Sequence, residues 1–467
     1  MDDVFKYIDD HHDDAIKSLI ELCTFPTVSA QGRAIKETAD WVSAQLRGLG
    51  FEVQVLPKPE GPPAQPVVYA EAKGKSPKTL LFYDHYDVQP EEPLDLWKTP
   101  PFEPVLKDGK LYGRGVSDNK GNIAARFAAI RAWRETRGDL PCGVKFCIEG
   151  DEEIGSPHME AFVERHKDLL KADACVWEGG GVTWEGLPEV TLGVKGLLYV
   201  QLECESISRD AHSSYGTVLP NAAWRMVWAL ASIKGPDERV LIDGFYDDVR
   251  EPNPDELAAL KKMPHDEAET AKTYGIPEFL GKVSGLDYKL RHLFQPTATI
   301  DGLSSGYEGP GPKTVLPAKA MAKVDFRLVN DQDPHDIELK LRTHLDKHGF
   351  GDIKIINHGG EYPARTPVTD PFVQVTKEAV RQVYGDEPLL VPNMAGTGPL
   401  YPFVTTLGLP TTDCGIGYPD AAIHVRTRTS GQRTSVRVRR RSRRCWGGSG
   451  RSSGVHPDAL REPHGER

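Results

Sequence analysis

Apolar runs of strand length that break off directly into acidic loops constrain this chain more than any other feature. Residues 80–83 (Leu-Leu-Phe-Tyr) run into Asp84-His85-Tyr86-Asp87, and Phe146-Cys147-Ile148 runs into Glu149-Gly150-Asp151-Glu152-Glu153-Ile154-Gly155-Ser156. A third motif, Gly115-Val116-Ser117-Asp118-Asn119-Lys120-Gly121, precedes a stretch with helical spacing: Ile123, Phe127, Ile130 and Trp133. Strands alternating with helices predict an α/β sheet covered on both faces. In such sheets functional groups gather beyond the carboxyl ends of the strands, which is where these motifs fall.

The rest of the chain fits that frame and then departs from it. Two helices are predicted in the first fifty residues, one carrying Phe5, Ile8, Ile16, Leu19 and Ile20, the other Ile35, Trp41, Val42, Leu46 and Leu49, with a stop at Gly50. Alternation at Phe51, Val53 and Val55 predicts a strand, as do residues 67–72 and 144–148. Near Gly196 the texture changes. Leu198, Val200 and Leu202 alternate, and Asp210-Ala211-His212-Ser213-Ser214 and a helix over 224–233 follow. A polar stretch over 235–273 precedes strands at 297–303 and 320–328 and a helix near 335–348. This middle segment reads as a separate α+β insertion. From about Pro371 the first pattern resumes, with a helix over 372–384, a strand over 389–391, Gly396-Thr397-Gly398 and a strand near 411–415.

At 467 residues two domains are expected. Hydrophobic content of 39% and charged content of 27% suit a soluble protein, and no apolar run approaches the length of a membrane span. The N-terminus is acidic rather than basic, and seven scattered cysteines lack metal-type pair spacing, so a reducing cytoplasm is the expected setting. Of the 57 Lys and Arg, 12 arginines fall in 425–467, with only 3 of the 68 Asp and Glu; this leaves 45 basic and 65 acidic groups in 1–424. An acidic body excludes a nucleic-acid partner as the leading idea.

Taken singly, each motif has a bland reading. His85 and Asp87 could be a surface turn, Asp118 a helix N-cap, and Glu152-Glu153 a solvated charge pair. Together they supply what two divalent ions require: a histidine, carboxylates able to bridge, and a spare carboxylate to act as base.

As a set, the motifs resemble the di-metal exopeptidase family that includes carnosinase, cytosolic nonspecific dipeptidase, carboxypeptidase G, acetylornithine deacetylase and succinyl-diaminopimelate desuccinylase. The resemblance runs from the N-terminal helices to about His424. It implies a zinc-peptidase-like catalytic domain, a mixed sheet flanked by helices, formed by 1–195 and 365–424. It also implies an inserted α+β lid and dimerisation domain over 196–364. By motif position, His85 and Glu178 would hold the first metal, Glu153 and His424 the second, and Asp118 would bridge them. Asp87 would brace His85, and Glu152 would be the general base. His212 would reach the partner subunit's site to stabilise an oxyanion. Arg327 in Asp325-Phe326-Arg327-Leu328-Val329 would grip the substrate carboxylate, with Thr314, Gly396 and Thr397 in further substrate loops.

The expected activity is hydrolysis of a dipeptide or short peptide by a homodimer carrying two divalent ions. Zinc is the default, with manganese or cobalt as alternatives. An N-acyl-amino-acid deacylase or desuccinylase shares the chemistry, and an inactive peptide-binding relative is the reading from another class. Neither a membrane nor a nucleic acid is an expected partner. After His424 the resemblance breaks down: the family continues Ala-Pro-Asn-Glu-Asn-Ile-Arg, whereas this chain carries the arginine-rich segment 425–467. One allowed codon set for 425–435, read one base out of phase, encodes Pro-Asn-Glu-Asn-Ile-Arg-Pro-Glu-Asp-Phe. The tail is therefore read as a frameshift product rather than as a basic arm.

Overall fold

The computed structural model describes residues 1–59, 64–264, 267–418, 421 and 435–437. Its organising element is a six-stranded mixed sheet with strands in the order Glu52–Leu56, Val67–Ala72, Cys142–Glu149, Ser76–His85, Ala174–Trp177, Thr411–Asp413. The last four run parallel; the first two are antiparallel additions. Parallel pairing sets the carboxyl ends side by side, with His85 opposite Glu149 and Trp177 opposite Asp413. All four strands thus discharge their loops at one edge.

Side-chain alternation divides the core in two. Phe146 and Ile148 point toward the helices Ile35–Gly48 and Lys120–Arg137, meeting Val42, Leu46, Ile123 and Phe127. Leu81, Tyr83 and Cys147 point the other way, onto Phe162, Val163, Leu170 and Phe403. A second, antiparallel sheet lies wholly within 196–361, in the order Thr297–Ser305, Lys319–Leu328, Gly196–Glu205, Lys354–Glu361. Leu198, Val200 and Leu202 on one face pack with Met226 and Leu230 of the helix Ala222–Ile233 and with Ile337, Leu341 and Leu345 of Pro334–Lys347. Both the covered α/β sheet and the α+β insertion therefore match the expected fold class.

Several local expectations are corrected. The first predicted helix is two, Asp2–Asp10 and His12–Cys23. They part at His11, whose ring stacks on Tyr7 at 3.8 Å and contacts the Tyr7 carbonyl through Nδ1 at 2.9 Å. The polar stretch 235–273, for which no element was expected, holds the helix Pro254–Lys262 and most of Glu267–Tyr274; the former starts in a capping box of Asn253 and Glu256. Asn119, not Asp118, occupies the N-cap position of Lys120–Arg137. The six described cysteines are all free thiols, and no described helix is long and apolar enough to cross a membrane. Of the tail, only Ser435–Arg437 is described, as a strand antiparallel to Lys110–Tyr112.

Candidate metal centre

His85 ends its strand, so the backbone delivers its ring to the sheet edge while burying it to 1% exposure. One face of the imidazole is fixed by Asp87, whose backbone and carboxylate oxygens both lie 3.2 Å from Nδ1. Asp87 is fully buried and also accepts the backbone N–H groups of Glu152 (3.2 Å) and Glu153 (3.0 Å). One carboxylate thereby locks the histidine to the Glu-Glu loop. The expected bracing role has this geometry behind it, although Asp87 lies beyond the strand rather than two residues along it.

The other ring nitrogen faces a crowd of acids. Around His85 Nε2 lie Asp118 Oδ1 at 3.1 Å, Glu178 Oε2 at 3.2 Å and Glu152 Oε2 at 3.8 Å. Among the described residues, two groups have ligand atoms close enough together to hold an ion: His85, Asp118 and Glu153, and His85, Glu152 and Glu178. His85 is common to both, whereas the resemblance gave the shared position to Asp118. The four acids arrive from three loops. Asp118 precedes the helix Lys120–Arg137, Glu152 and Glu153 form a single helical turn after Cys142–Glu149, and Glu178 follows Ala174–Trp177. Glu153 is further steadied by Gln89, whose backbone N–H reaches Oε1 at 3.2 Å and whose amide donates to the Glu153 carbonyl at 2.7 Å.

Electrostatics tests whether these residues suit cations. Burial, then the charge of Glu178, pushes the Glu152 carboxyl well above the usual range. Glu178 is likewise raised, first by burial. Burial opposes a charge on His85, but Glu178, Glu152 and the hydrogen bonds of Asp118 and Asp87 outweigh it and raise its pKa well above normal. Two nearby cations are engaged elsewhere, Arg126 with buried Asp84 and Lys58 with buried Glu149 and Asp151, while Arg114 faces Glu153 and Asp118. Four carboxylates against one imidazole, with mixed nitrogen and oxygen donors, fit divalent metal ions.

Other predicted residues form two further groups. Arg327 donates to Thr397 Oγ1 at 2.8 Å, and Gly396 accepts the Lys195 backbone N–H at 2.9 Å. A side-chain carbon at Gly398 would stand 3.8 Å from Glu152 Oε1, so this loop borders the acidic cluster. His212 and Thr314 meet each other, Nε2 to Oγ1 at 3.2 Å, at an exposed two-stranded pairing of Ala211–His212 with Val315–Leu316; none of their hydrogen bonds reaches the cluster. His424 lies outside the described residues.

Sequence reasoning missed the supports. Arg126 donates to the Tyr83 and Trp177 carbonyls (2.7 and 2.8 Å), tying two strand ends together. Lys58, Tyr83 and Ser156 converge on Glu149, which anchors the loop carrying Glu152 and Glu153. Glu149 and Asp151 stand in the quoted motif, so their acidity was visible, but a partner 91 or 93 residues away leaves no spacing signal.

Comparison with known proteins follows the same lines. Residues 81–428 match the profile of "Peptidase family M20/M25/M40". The chain is 30% identical to human Beta-Ala-His dipeptidase over 84% of its own length and 81% of that relative's. It is 28% identical to the Cys-Gly metallodipeptidase dug1 of Schizosaccharomyces pombe, with coverages of 83% and 85%. Among solved structures, the M20 family metallo-carboxypeptidase Sso-CP2 of Sulfolobus solfataricus superposes with a TM-score of 0.85 at 38% identity, covering 91% of this chain and 95% of that one. Human carnosine dipeptidase 1 gives 0.76 at 28% identity, with coverages of 94% and 95%.

Proposed function

The chain belongs to peptidase family M20/M25/M40, and from that premise we propose that it is a metal-dependent dipeptidase acting on peptides with a free C-terminus. The observation that carries this reading is the meeting of His85, Asp118, Glu152, Glu153 and Glu178 at one sheet edge. Relatives named for dipeptidase activity over more than four fifths of their length support the substrate class.

In this reading His85, Asp118 and Glu178 would hold one divalent ion, and Asp118, Glu153 and His424 would hold the other. Zinc is preferred, and manganese or cobalt are tolerated by so oxygen-rich a set. When bound, such ions supply Lewis-acid polarisation of the scissile carbonyl and a water acidic enough to attack near neutral pH. The Glu152 carboxylate would take the proton of the attacking water and pass it to the departing amine. Asp87 holds His85 Nδ1 and the two N–H groups of the Glu152-Glu153 turn, so base and ligands move as one unit. Arg327, steadied by Thr397, receives the peptide's terminal carboxylate through its guanidinium fork.

The proposal includes the division into a catalytic unit, 1–195 with 365–424, and a lid, 196–364. It also includes a homodimer formed through that lid, with His212 serving the partner subunit's site. The lid helix Ala222–Ile233 supports this: Trp224 and Trp228 stack at 5.8 Å on its outer face while remaining 58% and 57% exposed. Two adjoining exposed tryptophans are a surface that association would cover. A cytoplasmic setting agrees with the free thiols. Initial rates on Xaa-Gly dipeptides against N-acetyl and N-succinyl amino acids test the reading. Turnover confined to the acylated compounds would favour the deacylase instead.

A further inference from the structure

Lys195 is a buried charge that the mechanism above leaves without a task. Its residue is 3% exposed, yet its ammonium donates to one described acceptor, the Gln295 carbonyl, at 2.7 Å. An ammonium carries three donors, and a buried cation without a counter-charge is costly. No described carboxylate pairs with it. Burial, then repulsion from Arg327, lowers its pKa to about 8. Arg327 is faced by Asp325, with Oδ2 at 3.4 Å from Nε, and by the buried carboxyl of Glu361. Of the two neighbouring cations, Lys195 is thus the one without a described carboxylate partner.

The fold aims them at a common space. Lys195 immediately precedes the strand Gly196–Glu205, whose Leu197 faces Arg327 across the ladder. Lys195, Arg327 and Gln295 all line one cavity of about 900 Å³. Lys234, Arg239 and Arg291 also line it, against Asp237, Glu238 and Glu251. Three consecutive residues, which follow Ala395 on the cavity wall, lead from the two cations toward the acidic cluster. The Gly396 carbonyl binds the Lys195 N–H, Thr397 binds Arg327, and Gly398 borders Glu152. One three-residue stretch of chain thus passes from the Lys195 backbone past Arg327 to Glu152.

We infer that Lys195 and Arg327 together form the receptor for the peptide's free α-carboxylate, with Lys195 the second cation that sets specificity for an unblocked C-terminus. The cavity beyond them takes the side chain of the C-terminal residue. This rests on the reading of Arg327 given above.

The test compares a dipeptide with its C-terminal amide in wild type, K195M, K195R and R327M, each checked for equal metal content. K195M is expected to raise KM for the free acid on the order of 10- to 100-fold, the loss of one charge-assisted bond. It should leave kcat within about threefold and the amide's KM unchanged, and K195R should recover most of the loss. Calorimetry with an N-methylated, uncleavable dipeptide should show the same weakening independently of turnover. Should K195M fail to fold, K195Q keeps the bond to Gln295 and carries the comparison. An equal effect of K195M on acid and amide, or none, overturns the inference. If R327M alone then discriminates acid from amide, the proposed function stands without Lys195. If neither variant discriminates, the role of Arg327 falls as well.

Discussion

Replacing Asp87 with asparagine isolates the contribution of one buried carboxylate to the whole centre. Its two oxygens serve three donors: His85 Nδ1 and Glu152 N–H on Oδ1, and Glu153 N–H on Oδ2 at 3.0 Å. An asparagine has the same shape but one acceptor oxygen, so with the oxygen on the Oδ1 side an NH2 group faces the Glu153 N–H. A buried donor left unsatisfied costs about 1–3 kcal/mol. The charge that holds the His85 proton on Nδ1 is lost as well. Groups that orient a metal-bound histidine are typically worth 10- to 100-fold in affinity or activity. D87N should therefore lower metal affinity roughly 10- to 100-fold and kcat/KM by at least as much, with partial recovery at saturating metal. Competition with a chromophoric chelator gives the affinity, and dipeptide hydrolysis at graded metal concentrations gives the rest. A D87N protein with native affinity and native rate would refute the idea that Asp87 couples His85 to the Glu152-Glu153 turn.

Other expectations concern separate parts of the molecule. E152Q should keep its metal while losing on the order of 10²–10⁴ in kcat; near-native turnover would remove Glu152 from the role of base. Burial pushes the Asp413 carboxyl up to about 7, above the unfolded value of about 3.9. The stabilising contribution of its protonation is thus fully present below about pH 4 and lost as pH rises through about 7. D413N should be more stable than wild type at pH 8, by roughly 2–4 kcal/mol, with no such gain at pH 4; parallel denaturation curves at both pH values would contradict this. Converting both Trp224 and Trp228 to glutamate should yield monomers in sedimentation velocity, and an unchanged dimer would exclude that helix face as the interface.

What the sequence revealed and what it hid divide along the range of the interactions. Strand bounds at Val67–Ala72 and Leu389–Val391 were legible because alternation and apolar runs are local. The site was legible because each motif abuts such a run: once 80–83 and 144–148 are strands of one parallel sheet, His85 and Glu152 must emerge at the same edge. Glu178 needed the family pattern, since it stands alone after its strand. The supports were hidden. Nothing near Lys58 announces that Glu149 and Asp151 will share it, and Lys195 gains its meaning only from Arg327, which the sheet brings across from 132 residues away. The helix Pro254–Lys262 was a different failure. Its Asn253-Pro254-Asp255-Glu256 start is a clear capping signal, outweighed there by the polar, proline-containing surroundings.

The central claim is that loops far apart in sequence build one metal centre on which peptide hydrolysis depends. Its most direct test is metal analysis of chelated and reconstituted protein, with dipeptide hydrolysis followed at each addition of zinc or manganese. Chelation should abolish turnover, activity should return with about two equivalents per chain, and H85A should prevent the return. Full activity in the chelated protein, or an H85A variant that binds and works as wild type does, would contradict it.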